Sequence, residues 1–272
     1  MGLTRSEIAV VLVAHGERGG DFSNGALHAH AEAVRVTGGF AAVASGVLNG
    51  TPAFEDALAL AAASAARRIL VYPFFMADGY FTNRVVPKRI ADAGLTERCR
   101  VLTPLGLDPG LPQLLLAEAL ATAARAGLDP AASRLLVVGH GSKGPRASIR
   151  ATEEVAALVA GEQRFQSVAT AFLEEPPFLD DMLVGRRPPT VVVGFFSGDG
   201  LHASEDVPEA IAAMASDAVY TGAIGSKPGV DGLIVAAVLV AAAHDAVALR
   251  GGGGESAMPQ EASEIHPQPT AR

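Results

Sequence analysis

The chain repeats the order of three short sequence blocks, and this internal repeat constrains the fold more than any other feature. The first and second copies of the blocks are VVLVAHG (10–16) and LLVVGHG (135–141), ASGVLNGTPAF (44–54) and ATAFLEEPPFL (169–179), and YPFFMADGYFTNRVVP (72–87) and VGFFSGDGLHASEDVP (193–208). Three matches in the same order are not expected by chance, and such self-similarity indicates duplicated structural units. We therefore predict two related units, at residues 1–126 and 127–249.

The segments within each unit predict its fold. Four continuous apolar runs are typical of strands buried on both faces: IAVVLVAH, ARRILVYPFF, SRLLVVGH and PTVVVGFF. Alanine-rich stretches such as 111–126 and 151–161 have the apolar spacing of helices. Strand–helix alternation predicts a parallel sheet whose ligands bind beyond the carboxyl ends of the strands. The expected fold class is therefore α/β, with two tandem, related, doubly wound parallel-sheet units and the active cleft between them.

Composition excludes several classes of protein. The most apolar stretch, 232–243, is too short to cross a bilayer and is predicted to form a buried helix. The N-terminus lacks the pattern of a signal peptide, and the single cysteine, Cys99, excludes an internal disulfide, so we expect a cytoplasmic protein without a membrane partner. The net charge of −8 argues against a nucleic-acid partner. Residues 250–272, rich in glycine, proline and polar residues, are predicted to be a disordered tail.

Three polar side chains of the second unit stand where its strands are predicted to end. His140 follows the first core strand, Glu174 the second and His202 the third. If both units share one sheet order, these side chains converge around a single opening. Two imidazoles and a carboxylate form a ligand set for a divalent transition metal such as cobalt, iron, nickel or zinc, with positions left open for a substrate. We predict a metal site here, with Glu175 as the alternative carboxylate if the pairing of the copies slips by one residue.

The first unit has lost two of these ligands. It keeps His15 but has Asn49 at the position of Glu174 and Phe81 at that of His202. Asparagine supplies no negative charge, and phenylalanine neither binds a metal nor accepts a proton. The second unit is therefore predicted to be the working one, and His15 is a second-rank candidate that lines the opposite wall of the cleft.

Together these blocks resemble the CbiX-type sirohydrochlorin chelatases, a branch of the class II tetrapyrrole chelatases. The segments that carry the resemblance are GHGS (139–142), AFLEEPP (171–177), GDGLHASEDVP (198–208) and VYTGAIGSKPGV (219–230). The resemblance covers most of residues 8–240 and corresponds to the long form of the family, in which two units are fused. It implies a chelatase-like fold for each unit, and we expect a monomer because the fused units replace a dimer of single ones.

The resemblance also implies an activity. Known members insert cobalt, or in relatives iron or nickel, into sirohydrochlorin without ATP, in cobalamin or other tetrapyrrole biosynthesis. The chain is thereby expected to be a lyase, a sirohydrochlorin cobaltochelatase or else a ferrochelatase, that takes Co²⁺, Fe²⁺ or Ni²⁺ as substrate and no nucleotide. By the same resemblance, His140 and His202 are the metal-binding and proton-accepting histidines and Glu174 is their carboxylate partner. Some long-form members carry the active pair in the first unit. In this chain Asn49 and Phe81 occupy the corresponding positions of that unit.

A polar, basic segment follows His140 and is a candidate for binding the substrate. Sirohydrochlorin bears many carboxylates, so an acidic protein must collect cations at the cleft. Ser142, Lys143, Arg146 and Arg150 begin the next helix, where backbone N–H groups and the helix dipole favour an anion. Arg146 and Arg150 share a helix face because they are four residues apart. An ordinary solvated helix start is the alternative.

The remaining polar residues receive structural interpretations. The acidic residues around His202 are predicted chiefly to cap a helix, with tuning of His202 as the alternative: Asp199, Glu205 and Asp206. The other histidines lie in helix-like segments or the tail and are predicted to be structural: His28, His30, His244 and His266.

Two other functions compete with a chelatase. A nucleotide-binding enzyme is suggested by GHGSKG (139–144), which fits G-x-G-x-x-G after a strand, with Glu162 near the distance of a ribose contact. This reading does not explain Glu174 and His202, so it is the weaker one. A non-catalytic metal-binding or metal-carrier protein of the same fold is the second alternative.

Overall fold

Two four-stranded parallel sheets form the framework, as the repeat predicts. The computed structural model describes residues 3–16, 24–141, 146–185, 188–214 and 217–251. The strands are β1 (Ile8–Ala14), β2 (Ala42–Val47), β3 (Arg68–Pro73), β4 (Cys99–Val101), β5 (Arg134–Gly139), β6 (Ser167–Phe172), β7 (Thr190–Gly194) and β8 (Val219–Ala223). Their order is β2-β1-β3-β4 in the first sheet and β6-β5-β7-β8 in the second. The two-unit α/β fold is confirmed, and the four predicted strands are β1, β3, β5 and β7.

Helices cover the sheets on both faces. They are α1 (Gly25–Thr37), α2 (Phe54–Ala63), α3 (Val86–Asp92), α4 (Leu111–Arg125), α5 (Ala147–Gly161), α6 (Leu179–Leu183), α7 (Val207–Met214) and α8 (Val230–Gly251). The helices predicted at 111–126 and 151–161 are α4 and α5, and α5 begins one turn earlier than predicted. No helix within the described ranges is both long and apolar enough to span a membrane.

The apolar stretch 232–243 is helical, as predicted, but it is buried along one side only. It lies within α8, where Val230, Ile234 and Val238 are fully buried while Val240 is 58% exposed. Burial every fourth residue is the stripe of a helix that packs on one neighbour layer. Of the tail predicted at 250–272, residues 250 and 251 form the end of α8. Residues 252–272 lie outside the described residues.

The strands are apolar throughout because each of their faces packs on a separate core. Val10 and Leu12 of β1 point into a core that both sheets share, whereas Val11 and Val13 point into the outer core formed with α2 and α3. The same alternation sends Leu136 of β5 to an outer core with α6 and α7. Side chains of a strand alternate between faces, so a strand between two cores needs apolar residues at every position.

The last helix of each half of the chain packs on the other half. Helix α4 packs on β7, β8 and α5, and α8 packs on α1 and β3. Arg100 Nη1 of β4 lies 2.6 Å from Asp245 Oδ1 of α8, which fixes the exchanged helix to the first sheet. A division after residue 126 therefore separates each sheet from one of its covering helices. The boundaries 1–126 and 127–249 stay predictions of the sequence repeat.

A buried histidine joins the two units. His30 of α1 is 7% exposed, and its Nε2 lies 2.8 Å from the backbone oxygen of Gly225, in the turn after β8. A carbonyl oxygen only accepts, so the neutral ring donates its Nε2 proton across the interface. Burial lowers the pKa of His30 below its ordinary value of 6.5, and the bond to Gly225 opposes this effect only in part. The structural role predicted for His30 thus takes the form of an inter-unit hydrogen bond.

This lowered pKa predicts a pH-dependent stability. The unfolded chain takes up a proton on His30 more readily than the folded one. The contribution of neutral His30 to the free energy of unfolding is therefore complete above the unfolded pKa and is lost as the pH falls below about 6.5. Urea unfolding at about pH 7.5 and pH 5.5 should therefore show a smaller pH-dependent loss of unfolding free energy in His30→Gln than in the unmodified protein. His28, on the same helix, bonds Ser45 Oγ at 2.8 Å, as its predicted structural role requires. An unchanged slope in His30→Gln would contradict the assignment.

Candidate metal-binding site

The candidate site begins where β5 ends. His140 follows the last residue of β5, and Gly141 then turns the chain with φ +81°. A Cβ on Gly141 would lie 3.1 Å from Glu175 Oε1 and 3.2 Å from Phe172 Cβ, so a larger residue would be strained and crowded here. Glycine thus lets the β6 turn close over the His140 loop. The prediction that His140 stands just beyond the carboxyl end of a buried strand is confirmed.

The two predicted histidine ligands meet, although 62 residues separate them. His140 Nε2 lies 3.0 Å from His202 Nε2, and the ring centroids are 4.5 Å apart at an interplanar angle of 78°. His202 is the first residue of a π-helical turn, His202–Asp206, which lies between β7 and α7. Single-turn π-helices recur at functional sites because they displace side chains from the ordinary helical register.

The remaining ring nitrogens determine what the pair can bind. His140 Nδ1 lies 3.1 Å from the backbone oxygen of Gly141, and His202 Nδ1 lies 2.5 Å from Asp206 Oδ2. Both partners accept, so in the neutral rings each Nδ1 carries the proton and each Nε2 presents a lone pair. Two lone pairs 3.0 Å apart repel, and a cation between them removes the repulsion. The arrangement therefore suits a proton or a metal ion, and metal-binding histidines typically donate their other N–H to a carboxylate or carbonyl in this way.

The structure favours the alternative role of Asp206, a contact with His202. Its predicted function was chiefly helix capping, but its carboxylate binds the ring of His202. Two signals in the sequence point to this role. Asp206 follows His202 by four residues within one turn, and the first copy has Val85 at its position, so that copy lost the histidine and the carboxylate together.

Glu174 approaches the site through its main chain. Its backbone N–H donates to the His140 oxygen at 3.0 Å, just as Asn49 donates to the His15 oxygen at 2.9 Å in the first unit. The equivalence supports the pairing of Glu174, and not Glu175, with Asn49. Across the described residues, no three or more His, Cys, Asp or Glu side chains are grouped closely enough to hold a metal ion. The structure thus brings two of the predicted ligands into contact, and Glu174 stays a predicted third.

The first unit preserves the geometry without the chemistry. The rings of His15 and Phe81 are 4.5 Å apart at 83°, nearly the arrangement of His140 and His202. The amide of Asn49 lies 3.4 Å from His15 Nε2 and points a donor at its lone pair, while Phe81 stacks on Phe75 at 6.2 Å. An amide donor and a phenyl ring thus stand where the second unit has a carboxylate and an imidazole.

The candidate anion-binding residues are only partly described. Arg146 directly precedes α5 and Arg150 lies in its first turn, and both side chains are exposed. Ser142 and Lys143 lie outside the described residues. The backbone N–H of Arg150 donates to the Arg146 oxygen at 3.0 Å, so the two residues are one turn apart. Their shared face and their contact with a substrate stay predictions.

The nucleotide alternative is not supported by the position of Glu162. This residue directly follows α5, a 15-residue helix, so about 20 Å along the helix axis separate it from the residue at which α5 begins. Its carboxylate accepts a hydrogen bond from Gln113 at 3.0 Å. A ribose ligand would have to lie next to the loop, and Glu162 does not.

Fold and site together define a two-unit α/β protein with two histidines in contact at the carboxyl edge of its second sheet. The model of the CbiX family matches residues 9–122 and 134–240, and the chain belongs to this family. A relative, the probable sirohydrochlorin cobaltochelatase of Halobacterium salinarum, is 25% identical over 81% of this chain and 87% of its own length.

Solved structures agree with this family. CbiX, described as the terminal enzyme for biosynthesis of siroheme in denitrifying bacteria, is 30% identical, with a TM-score of 0.71 over 86% of this chain and 99% of that one. SirB from Bacillus subtilis with Fe³⁺ is 18% identical, with a TM-score of 0.72 over 88% and 97%. At that identity SirB shows a similarity of fold alone.

Proposed function

We propose that this protein is a sirohydrochlorin chelatase that inserts a divalent metal ion, with cobalt as the preferred ion, without ATP. The paired Nε2 lone pairs of His140 and His202 carry the proposal, because they form a cation site at the carboxyl edge of a sheet. The relative from Halobacterium salinarum, which matches along most of its length, supports sirohydrochlorin and cobalt. The CbiX structure at 30% identity supports iron as the alternative, because its product, siroheme, contains iron.

The proposed reaction exchanges two pyrrole N–H protons for one metal ion. His140 and His202 hold the incoming ion through Nε2, and once it transfers to the ring nitrogens, the same atoms are free to accept the released protons. Asp206 accepts the hydrogen bond of His202 Nδ1, which fixes the tautomer whose Nε2 presents a lone pair to the ion and makes that nitrogen more basic. Glu174 adds negative charge that offsets the charge of the ion.

The substrate carboxylates require cations at the same opening. Arg146 and Arg150 are proposed to bind them, together with Ser142 and Lys143, which precede α5 in the sequence. We also propose that the protein acts as a cytoplasmic monomer, because two fused units supply both halves of the cleft. Size-exclusion chromatography of the full chain would test the oligomeric state.

The activity is tested by mixing the protein with sirohydrochlorin and Co²⁺ and following the absorbance spectrum of the macrocycle. Metal insertion should proceed faster than in a protein-free control, and a series with Fe²⁺ and Ni²⁺ should rank Co²⁺ first. Binding of Co²⁺ without acceleration would instead support a non-catalytic metal carrier of the same fold. A reaction faster with Fe²⁺ than with Co²⁺ would still support a chelatase, but one whose preferred metal is iron.

A further inference from the structure

Two large apolar side chains are exposed at equivalent positions of the two copies. Tyr80 directly precedes a π-helical turn, Phe81–Val85, and is 69% exposed, and Leu201 directly precedes the turn His202–Asp206 and is 57% exposed. Single exposed apolar residues are common on proteins and need no explanation. Among the exposed large apolar side chains of the described residues, however, only these two stand at positions that the repeat relates. Because one copy lacks the second histidine, the shared feature indicates a contact that does not depend on the metal.

The two units meet around a local two-fold axis. A Cβ on Gly110, at the start of α4, would lie 2.5 Å from Leu233 Cδ2 of α8, and a Cβ on Gly229, just before α8, would lie 3.1 Å from Leu114 Cδ1 of α4. The repeat relates Gly110 to Gly229 and Leu114 to Leu233 at one common offset. Reciprocal contacts between equivalent residues are typical of two-fold symmetry. The first turns of α4 and α8 therefore pack against each other at this axis.

The loops that carry the two exposed side chains lie close to the same axis. A Cβ on Gly106, in the turn after β4, would lie 2.0 Å from the backbone oxygen of Met76, and the equivalent distance from Gly225, in the turn after β8, to the Ser197 oxygen is 2.3 Å. Only glycine permits so close an approach. These two turns lead directly into α4 and α8, and the loops of Met76 and Ser197 continue into the two π-helical turns. The two exposed apolar side chains therefore flank the axis at the carboxyl edges of the two sheets.

We propose that Tyr80 and Leu201 form two apolar walls that hold the sirohydrochlorin macrocycle between them, an inference that rests on the proposed chelatase function. The macrocycle is flat and conjugated and carries its carboxylates at the periphery, so its two faces are apolar and gain from contact with apolar side chains. Leu201 adjoins His202 and contacts the face that receives the metal. Tyr80 contacts the opposite face, where an aromatic ring adds stacking to burial. The first unit thus supplies a wall for the substrate in place of a second metal site.

The affinity for metal-free sirohydrochlorin provides the test. Titration into the full chain, followed by the absorbance of the macrocycle, gives a dissociation constant for each variant. Tyr80→Ser and Leu201→Ser should each raise this constant by about five- to tenfold and leave the dissociation constant of Co²⁺ unchanged. In the insertion assay the loss should appear in KM rather than in kcat, as expected for a contact made equally before and during the reaction.

Two further variants separate a specific contact from a general effect. Tyr80→Phe should restore binding to within about twofold of the unmodified protein, because stacking uses the ring and not the hydroxyl. Leu60→Ser is the matched control, since Leu60 lies on α2 and is 55% exposed, nearly as much as Leu201. It should bind sirohydrochlorin as the unmodified protein does.

The outcomes distinguish this inference from the proposed function. If the unmodified protein binds no sirohydrochlorin, the proposed function and the inference are both wrong. If it binds sirohydrochlorin and inserts the metal, but Tyr80→Ser or Leu201→Ser binds as tightly, the inference alone is wrong. An equal loss in Leu60→Ser, or a loss of Co²⁺ affinity in Leu201→Ser, would also overturn it. A change of oligomeric state in Tyr80→Ser without a change in binding would replace the macrocycle by a second copy of the chain.

Discussion

Replacing His202 with alanine is expected to lower the rate of metal insertion by about 10²–10⁴-fold, the range for loss of a group that accepts a proton in the reaction. The change removes one of two Nε2 atoms that lie 3.0 Å apart, and no imidazole of the first unit stands at the equivalent position, which is occupied by Phe81. The measurement is the absorbance assay with sirohydrochlorin and Co²⁺.

His15→Ala is the matched control for this variant. His15 is followed by an equivalent turn glycine and has nearly the same ring geometry, but its Nε2 faces an amide donor. Its replacement should leave the insertion rate near that of the unmodified protein. A greater loss from His15→Ala than from His202→Ala would move the active site to the first unit.

Replacing Asp206 with asparagine is expected to weaken Co²⁺ binding by about 10–100-fold, the usual cost of losing a carboxylate that supports a metal-binding histidine. Asparagine has nearly the same shape, but its amide carries no charge, so it holds the His202 Nδ1 proton less firmly. The dissociation constant of Co²⁺, measured by titration, provides the readout.

Glu205→Gln separates a specific contact from a general effect of charge. It removes one negative charge from the same π-helical turn, and Glu205 is exposed. Its Co²⁺ affinity should stay close to that of the unmodified protein. Equal losses in Asp206→Asn and Glu205→Gln would show that the contact with His202 does not matter.

Much of the candidate site could be predicted because the chain contains two copies of one pattern, which can be compared with each other. The two copies show which residues differ, and the difference between Phe81 and His202 predicts from the sequence alone which unit has the paired histidines. The encounter of His140 with His202 followed from one rule, that parallel strands end at the same edge of a sheet. Both copies keep the same backbone bonds at Asn49 and Glu174, which is why the register of the repeat carried over to the structure.

The remaining features depend on contacts that a linear pattern does not encode. Asp206 resembled a helix cap because an acidic residue at the start of a helix serves either purpose, and only the 2.5 Å contact with His202 distinguishes them. The exchange of α4 and α8 was not predicted, since the apolar stripe of a helix does not say which sheet it covers. The ion pair between Arg100 and Asp245, which fixes α8, joins residues 145 positions apart.

The most direct test of the paired-histidine site is a crystal grown or soaked with Co²⁺ and measured at the cobalt absorption edge. An anomalous difference peak is expected within about 2.3 Å of Nε2 of both His140 and His202. A cobalt peak at His15, or one that touches neither imidazole of the second unit, would contradict the account.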